Sequence, residues 1–227
     1  MKTHVSTRLL YPVGIVRSRD VAIVAGQTMV GQVAVRWVFA DELACAAINA
    51  SEVPPKPLEH VLALDAIHRW ITVLPIRFGT SMTDEEGVCR LLQEQRQELL
   101  ECLDRVEGTF EIGLRITPSM CQPAEVRPPA RVSSSADYLA DRRALYQRED
   151  RLSGQAGQTS DRYVCGLDGL YQQWRLLGSS LPVVIRLAFL VERDRVDLFR
   201  ERVKTLRDAR EGELCEFLGP WPPYSFV

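Results

Sequence analysis

Between Thr83 and Ile116 the hydrophobic period of this chain changes from 3.6 residues to 2, and that change restricts it to folds that pack helices on sheets. Thr83-Asp84-Glu85-Glu86 reads as a helix start in which Thr83 accepts from the Glu86 amide and Glu86 reaches back. Asp84 and Glu85 also favour the positive end of the helix dipole. Apolar residues recur at Val88, Leu91, Leu92, Leu99, Leu103 and Val106, and Gly108 is expected to end one long helix. Phe110–Ile116 then alternates apolar residues with Glu111, Gly113 and Arg115, the pattern of a half-buried strand.

The rest of the chain extends the mixture. Leu9–Arg17 reads as a buried strand and Val33–Phe39 as a second, rich in β-branched and aromatic residues. Asp41 is expected to cap a short helix over the alanine-rich Glu42–Asn49. The prolines within Ser51–Pro57 make a loop, a helix runs from Leu58 to about His68, and Ile71–Ile76 reads as a strand that Pro75 places at an edge. Pro118–Ser135 reads as a loop, followed by a helix bearing Tyr138, Leu139, Leu145 and Tyr146. Ser153–Ser160 reads as a flexible break, followed by a helix built on Val164, Leu167, Tyr171, Trp174 and Leu177. Leu181–Val191 reads as a strand, Asp194 as the cap of a helix with Val196, Phe199, Val203 and Leu206 on one side, and Glu213–Leu218 as a last strand. The second half thus orders as strand, helix, helix, strand, helix, strand. That is close to a split β-α-β, ferredoxin-like sandwich with one strand fewer and a divided first helix. The expected architecture is α+β in two domains, an N-terminal α+β domain over 1–107 and a modified ferredoxin-like domain over 108–227 that carries an extended tail at 219–227. No internal repeat is evident.

Composition excludes several functions. A net charge of −2 and a pI near 6.0 argue against a nucleic-acid binder and a polybasic membrane-surface protein. The longest apolar run, Leu181–Val191, contains Arg186 and is too short to span a bilayer. The apolar stretch Leu9–Val16, broken by Pro12, does not resemble a secretion signal, so a cytoplasmic location is expected. The six cysteines show no C-x-x-C pair, and reduced, mostly buried thiols are expected. Gly26–Gly31 has phosphate-loop spacing, but Gln32-Val33 stands where a lysine and a hydroxyl residue are needed. His60, Asp65 and His68 make too poor a set for a metal, and Asp84–Glu86 are explained by the helix start. No catalytic, cofactor or metal site is therefore assigned.

Two stretches ask for more than a packing role. In Leu74-Pro-Ile-Arg-Phe-Gly-Thr80, Arg77 lies between Ile76 and Phe78 before Gly79 and is expected to be partly buried, with Glu111 as its ion-pair partner. The C-terminal Gly219–Val227 contains three prolines and three aromatics, where chain ends are usually polar. Burial of Trp221, Tyr224 and Phe226 nearly balances the cost of ordering the segment, and Pro222 and Pro223 lower that cost. The tail is expected to dock, on its own domain or on a partner. Arg77, Phe78, Gly79, Glu111, Trp221, Pro222, Pro223, Tyr224 and Phe226 are the structural or partner-binding candidates.

These stretches carry a resemblance. LPIRFGT at 74–80, TDEEGVCRLL from Thr83, EIGLRI at 111–116, DYLADRRA at 137–144, AFLVERD at 188–194 and GPWPPYSFV at 219–227 are similar to the gas vesicle GvpF/GvpL family, in family order over about 58–227. Two places depart from its pattern: Leu218 where a polar residue such as threonine is expected, and Ser134-Ser135-Ala136 where a glycine is expected. The resemblance implies the two-domain α+β fold with a tail, no catalysis and no cofactor. It implies an accessory protein needed to form gas vesicles, in contact with the hydrophobic shell protein GvpA and other accessory proteins, in the cytoplasm and at the vesicle. A ligand-binding or regulatory ferredoxin-like module is the alternative, and a small-substrate enzyme stands third.

Overall fold

A computed structural model describes residues 9–25, 33–50, 54–118, 152–180 and 184–227. The Gly26–Gly31 loop, the Pro118–Ser135 loop beyond its first residue and the helix expected at Tyr138–Tyr146 lie outside the described residues. The chain divides into two compact units: Met1–Glu111 together with Trp221–Val227, and Ile112–Pro220.

The first unit begins with β1 (Leu9–Arg17), a 3-10 turn (Ser18–Asp20) and α1 (Val21–Ala25). β2 (Val35–Ala40) and β3 (Leu43–Ala50) follow, then α2 (Pro57–His68) and the two-residue β4 (Leu74–Pro75). The sheet order is β2-β3-β1-β4, and the β2–β3, β1–β3 and β1–β4 pairs are antiparallel. The alanine-rich segment is strand β3, not the expected helix. Asp41 holds a φ of 50° in the two-residue turn between β2 and β3, which suits a tight hairpin. Ala44 and Ala46 are fully buried under Val13, Leu64 and Ile67. Small side chains let α2 approach this central strand, and pairing on both sides overrides helix propensity. Gly14 serves the same approach, because a Cβ there would lie 2.5 Å from Val73 Cγ2 and 3.0 Å from Leu64 Cδ1.

The predicted single helix after Thr83 is two helices, α3 (Glu85–Glu94) and α4 (Arg96–Arg105), parted at Gln95. The cap is Asp84, one residue later than expected: its carboxylate accepts from the Gly87 amide at 2.8 Å. Gly108, at φ 67°, ends the segment as expected.

The second unit contains β5 (Thr109–Thr117), a helix α5 described over 152–166, β6 (Gln173–Ser180), β7 (Val184–Glu192), α6 (Val196–Asp208) and β8 (Leu214–Trp221). Its sheet order is β6-β7-β5-β8. Three expectations fail here. Ser153–Ser160 is helical, anchored by the Ser160 hydroxyl on the Ala156 carbonyl and by buried Tyr163 and Leu167 further along. The helix then stops at Gly166, and Trp174 and Leu177 stand on strand β6, hairpinned to β7. Spacings of three and four ran across a turn at Gly169 (φ 76°) and mimicked one helix. Asp194 lies in a 3-10 turn, and α6 starts after Arg195 with no side-chain cap. The core stacks Phe189 on Tyr171 and Phe199, with ring centroids 5.1 and 5.3 Å apart.

Among the described residues each unit threads strand, helix, strand, strand, helix, strand, with α3 and α4 added after β4 in the first unit, and each sheet has its second, third, first and fourth strands in that spatial order. This shared thread is invisible as sequence repetition. It makes Gly14 a sharp test: Gly14→Val should cost about 1–3 kcal/mol by overpacking β1 against α2, read as a lower denaturation midpoint at unchanged slope. An unchanged midpoint would contradict the close approach.

Candidate functional site

The terminal segment, Trp221–Val227, groups with the first unit and is tied to Glu111. Pro222 and Pro223 are buried and Phe226 is 1% exposed, while Trp221 and Tyr224 remain 41% and 45% exposed. Of the three aromatics only Phe226 is a full anchor, and the prolines bury in place of the other two. The turn is closed by Tyr224 N–H donating to the Pro222 carbonyl (2.8 Å) and Phe226 N–H to that of Pro223 (3.1 Å).

Glu111 fastens it. Its side chain is nearly inaccessible, and both carboxylate oxygens accept from one residue, the Ser225 N–H at 2.7 Å and the Ser225 hydroxyl at 2.7 Å. A buried carboxylate needs donors of this kind, and charge-assisted bonds are the stronger class. The expected Arg77–Glu111 ion pair is therefore absent. Arg77 is exposed, and its carbonyl accepts from the Thr80 amide (3.2 Å) and hydroxyl (2.8 Å), closing a turn in which Gly79 adopts φ 89°. Neutral donors 114 residues away satisfied the acid, so it needed no arginine.

Helix α2 lies beside this dock. Its inner side buries His60, Ala63, Leu64 and Ile67, and its outer side exposes Leu58, Val61 and Leu62. A helix apolar on all sides is normally covered on all sides. Asp65 continues the outer stripe at i+3 from Leu62, and burial raises its pKa against the opposing pull of Arg69. Tyr224 stands close enough to feel Asp65 and Glu111, and burial above all pushes its hydroxyl up to about 12. His60 Nε2–H donates to the Ile76 carbonyl (3.0 Å), and the ring meets Phe78 edge-on at 5.6 Å. His68 ends α2, as expected from sequence, and is buried edge-on to Phe110 at 5.0 Å. His60 and His68 are thus core histidines, and no group of three potential metal ligands occurs among the described residues.

In the second unit Arg162 donates to both oxygens of Glu213 (2.5 Å each), and Tyr163 donates to the same carboxylate at 2.8 Å. A concavity of about 210 Å³ borders this pair, with Gln155, Gln158 and Arg210. That volume is below the 300–1,000 Å³ typical of ligand sites. Burial pushes Cys45 up to about 12 and Cys215 up to about 11, which keeps both as thiols.

The geometry has measurable consequences. Phe226→Ala should cost about 3–5 kcal/mol, and Ser225→Ala about 1–3 kcal/mol by leaving a Glu111 oxygen unsatisfied; Trp221→Ala should cost far less, and equal costs for all three in urea titrations would contradict the dock. Burial lowers the His60 pKa below the usual 6.5. The unfolded chain then binds the proton first, so stability is full above about pH 6.5 and falls as pH drops below it. His60→Asn should flatten that acid slope in melting curves from pH 7.5 to 5, whatever it does to the plateau.

Comparison with known proteins agrees with this architecture. The chain superimposes on the crystal structure of the gas vesicle protein GvpF from Anabaena sp. PCC7120 with a TM-score of 0.74 at 18% identity, covering 96% of this chain and 98% of that one. GvpF from Microcystis aeruginosa gives 0.73 at 15% identity with the same coverage. In sequence, the chain is 32% identical to gas vesicle protein L of a Streptomyces species over 184 residues, 74% of this chain and 67% of that protein. It is 28% identical to gas vesicle protein F of Haloferax mediterranei over 171 residues, 75% of this chain and 65% of that one. The alignments therefore span about two thirds of these relatives. The profile of the family described as "Gas vesicle synthesis protein GvpL/GvpF" matches residues 9–227, and the chain belongs to that family.

Proposed function

We propose that this chain is a non-catalytic accessory or minor structural component of gas vesicle formation that binds the major shell protein GvpA during nucleation or assembly, alongside other vesicle accessory proteins in the cytoplasm. The observation that carries the reading is the family match across 9–227. The exposed outer side of α2, with Leu58, Val61 and Leu62, supports it, and Tyr224 lies near enough to Asp65 of the same helix to feel its charge. An apolar subunit awaiting assembly needs an apolar surface that holds it without itself aggregating. Arg77, Phe78, Gly79, Trp221 and Tyr224 are read as further contact candidates, and Glu111, Pro222, Pro223 and Phe226 as the residues that hold the tail in shape. The domain division is read as 1–107 and 108–227 with a tail at 219–227, of which Trp221–Val227 group with the first unit. The second is read as ferredoxin-like, on its strand-helix-strand-strand-helix-strand order.

The test is co-purification with GvpA. The intact chain should retain GvpA, and Leu58→Glu combined with Leu62→Glu should lower recovery roughly tenfold or more. Its melting temperature should stay within about 2 °C, because exposed positions rarely move stability by more than about 0.5 kcal/mol. A wild-type chain that retains no GvpA overturns the reading. Full recovery with the double variant overturns the surface.

A further inference from the structure

The first unit is made of two separated stretches. The chain leaves it after Glu111, builds the second unit from residues 112–220 and returns at Trp221. The residue at the exit is also the one that holds the returning segment. Glu111, 5% exposed, accepts from the Ser225 N–H and from the Ser225 hydroxyl, both at 2.7 Å. Pro222, Pro223 and Phe226 of the same return are buried. The second unit, by contrast, is one unbroken stretch, and its stacked Tyr171, Phe189 and Phe199 lie wholly within it.

Chain length makes the return improbable unless something delivers it. The ends of a free loop meet with a probability that falls as about the 3/2 power of its length. The 114 residues between Glu111 and Ser225 would therefore close roughly 150-fold less often than a loop of about four. The second unit removes that handicap. Glu111 stands on β5, and β8 lies next to β5 in the second sheet. β8 ends at Trp221, four residues before Ser225. Once β8 is in place only this short connector is left to order, and Pro222 and Pro223 restrict it in advance.

The dependence runs one way. The second unit is continuous in sequence and can close without the tail. The first cannot be completed without it, because the buried Glu111 carboxylate then loses both Ser225 donors and Phe226 leaves its place in the core.

We propose that residues 221–227 are a strap through which the folded second unit completes the first, so that the tail seats on Glu111 only in chains whose 112–220 stretch has folded. Through Tyr224, near enough to Asp65 to feel its charge, the strap reaches the outer side of α2. GvpA then meets a finished α2 surface only on chains with both units folded, a consequence that rests on the reading proposed above.

Amide exchange of the intact chain in rising urea, without GvpA, tests the strap independently of what α2 binds. Phe199→Leu and the harsher Phe199→Ala weaken the second core, and Ile67→Val weakens the first. Where β7 of either Phe199 variant has lost its protection, the Ser225 and Phe226 amides should be protected roughly 150-fold less than in the wild type. Ile67→Val should lower the urea midpoint of β1, β3 and the tail and leave that of β7 unchanged. Tail amides that stay within about tenfold of wild-type protection after β7 has exchanged overturn the proposal. An Ile67→Val chain whose β7 midpoint falls as far as that of β1 overturns it equally. Co-purification with GvpA is scored separately: its failure removes the GvpA reading, while the exchange result still decides the strap.

Discussion

The carboxylate of Glu111 and the Ser225 it holds are the constraint on which the first unit depends. A buried, charged acid must be met by donors, or its desolvation goes uncompensated. Here both donors come from the last three residues of the chain. The bonds fix the turn of the tail, the turn seats Phe226, and the seated tail brings Tyr224 to Asp65 on α2. One polar contact thus orders the border of an apolar surface that propensity alone would leave undefined.

Where local chemistry dominates, the sequence is readable. β1, β2, α2, β5, α6 and β8 fall near their expected places because each has its own periodicity and terminators, such as Gly108 and Gly212 with positive φ. The errors share a cause. β3 is an alanine strand because two neighbours pair with it, and nothing within Leu43–Ala50 announces them. The stretch from Tyr171 to Leu177 kept a helical spacing only because a turn and a hairpin happened to preserve it.

The site shows the same division. That the terminus would be ordered was legible from its prolines and aromatics, and Glu111 was singled out as an acid in need of a partner. The partner itself was not legible, since a serine two residues from the chain end carries no local signal of a contact 114 residues away. Arg77 was the nearer guess in chemistry, but a buried acid accepts neutral donors as readily as a cation, and Arg77 keeps its side chain in solvent. The common thread of the two units was equally hidden. It emerges only from strand order.

The most direct measurement is amide hydrogen exchange of the intact chain, resolved at Ser225. A docked tail predicts that the Ser225 amide, bonded to Glu111 and backed by buried Phe226, exchanges orders of magnitude more slowly than an unstructured chain end. Exchange at the free-peptide rate, in a protein whose core amides are protected, would contradict the account.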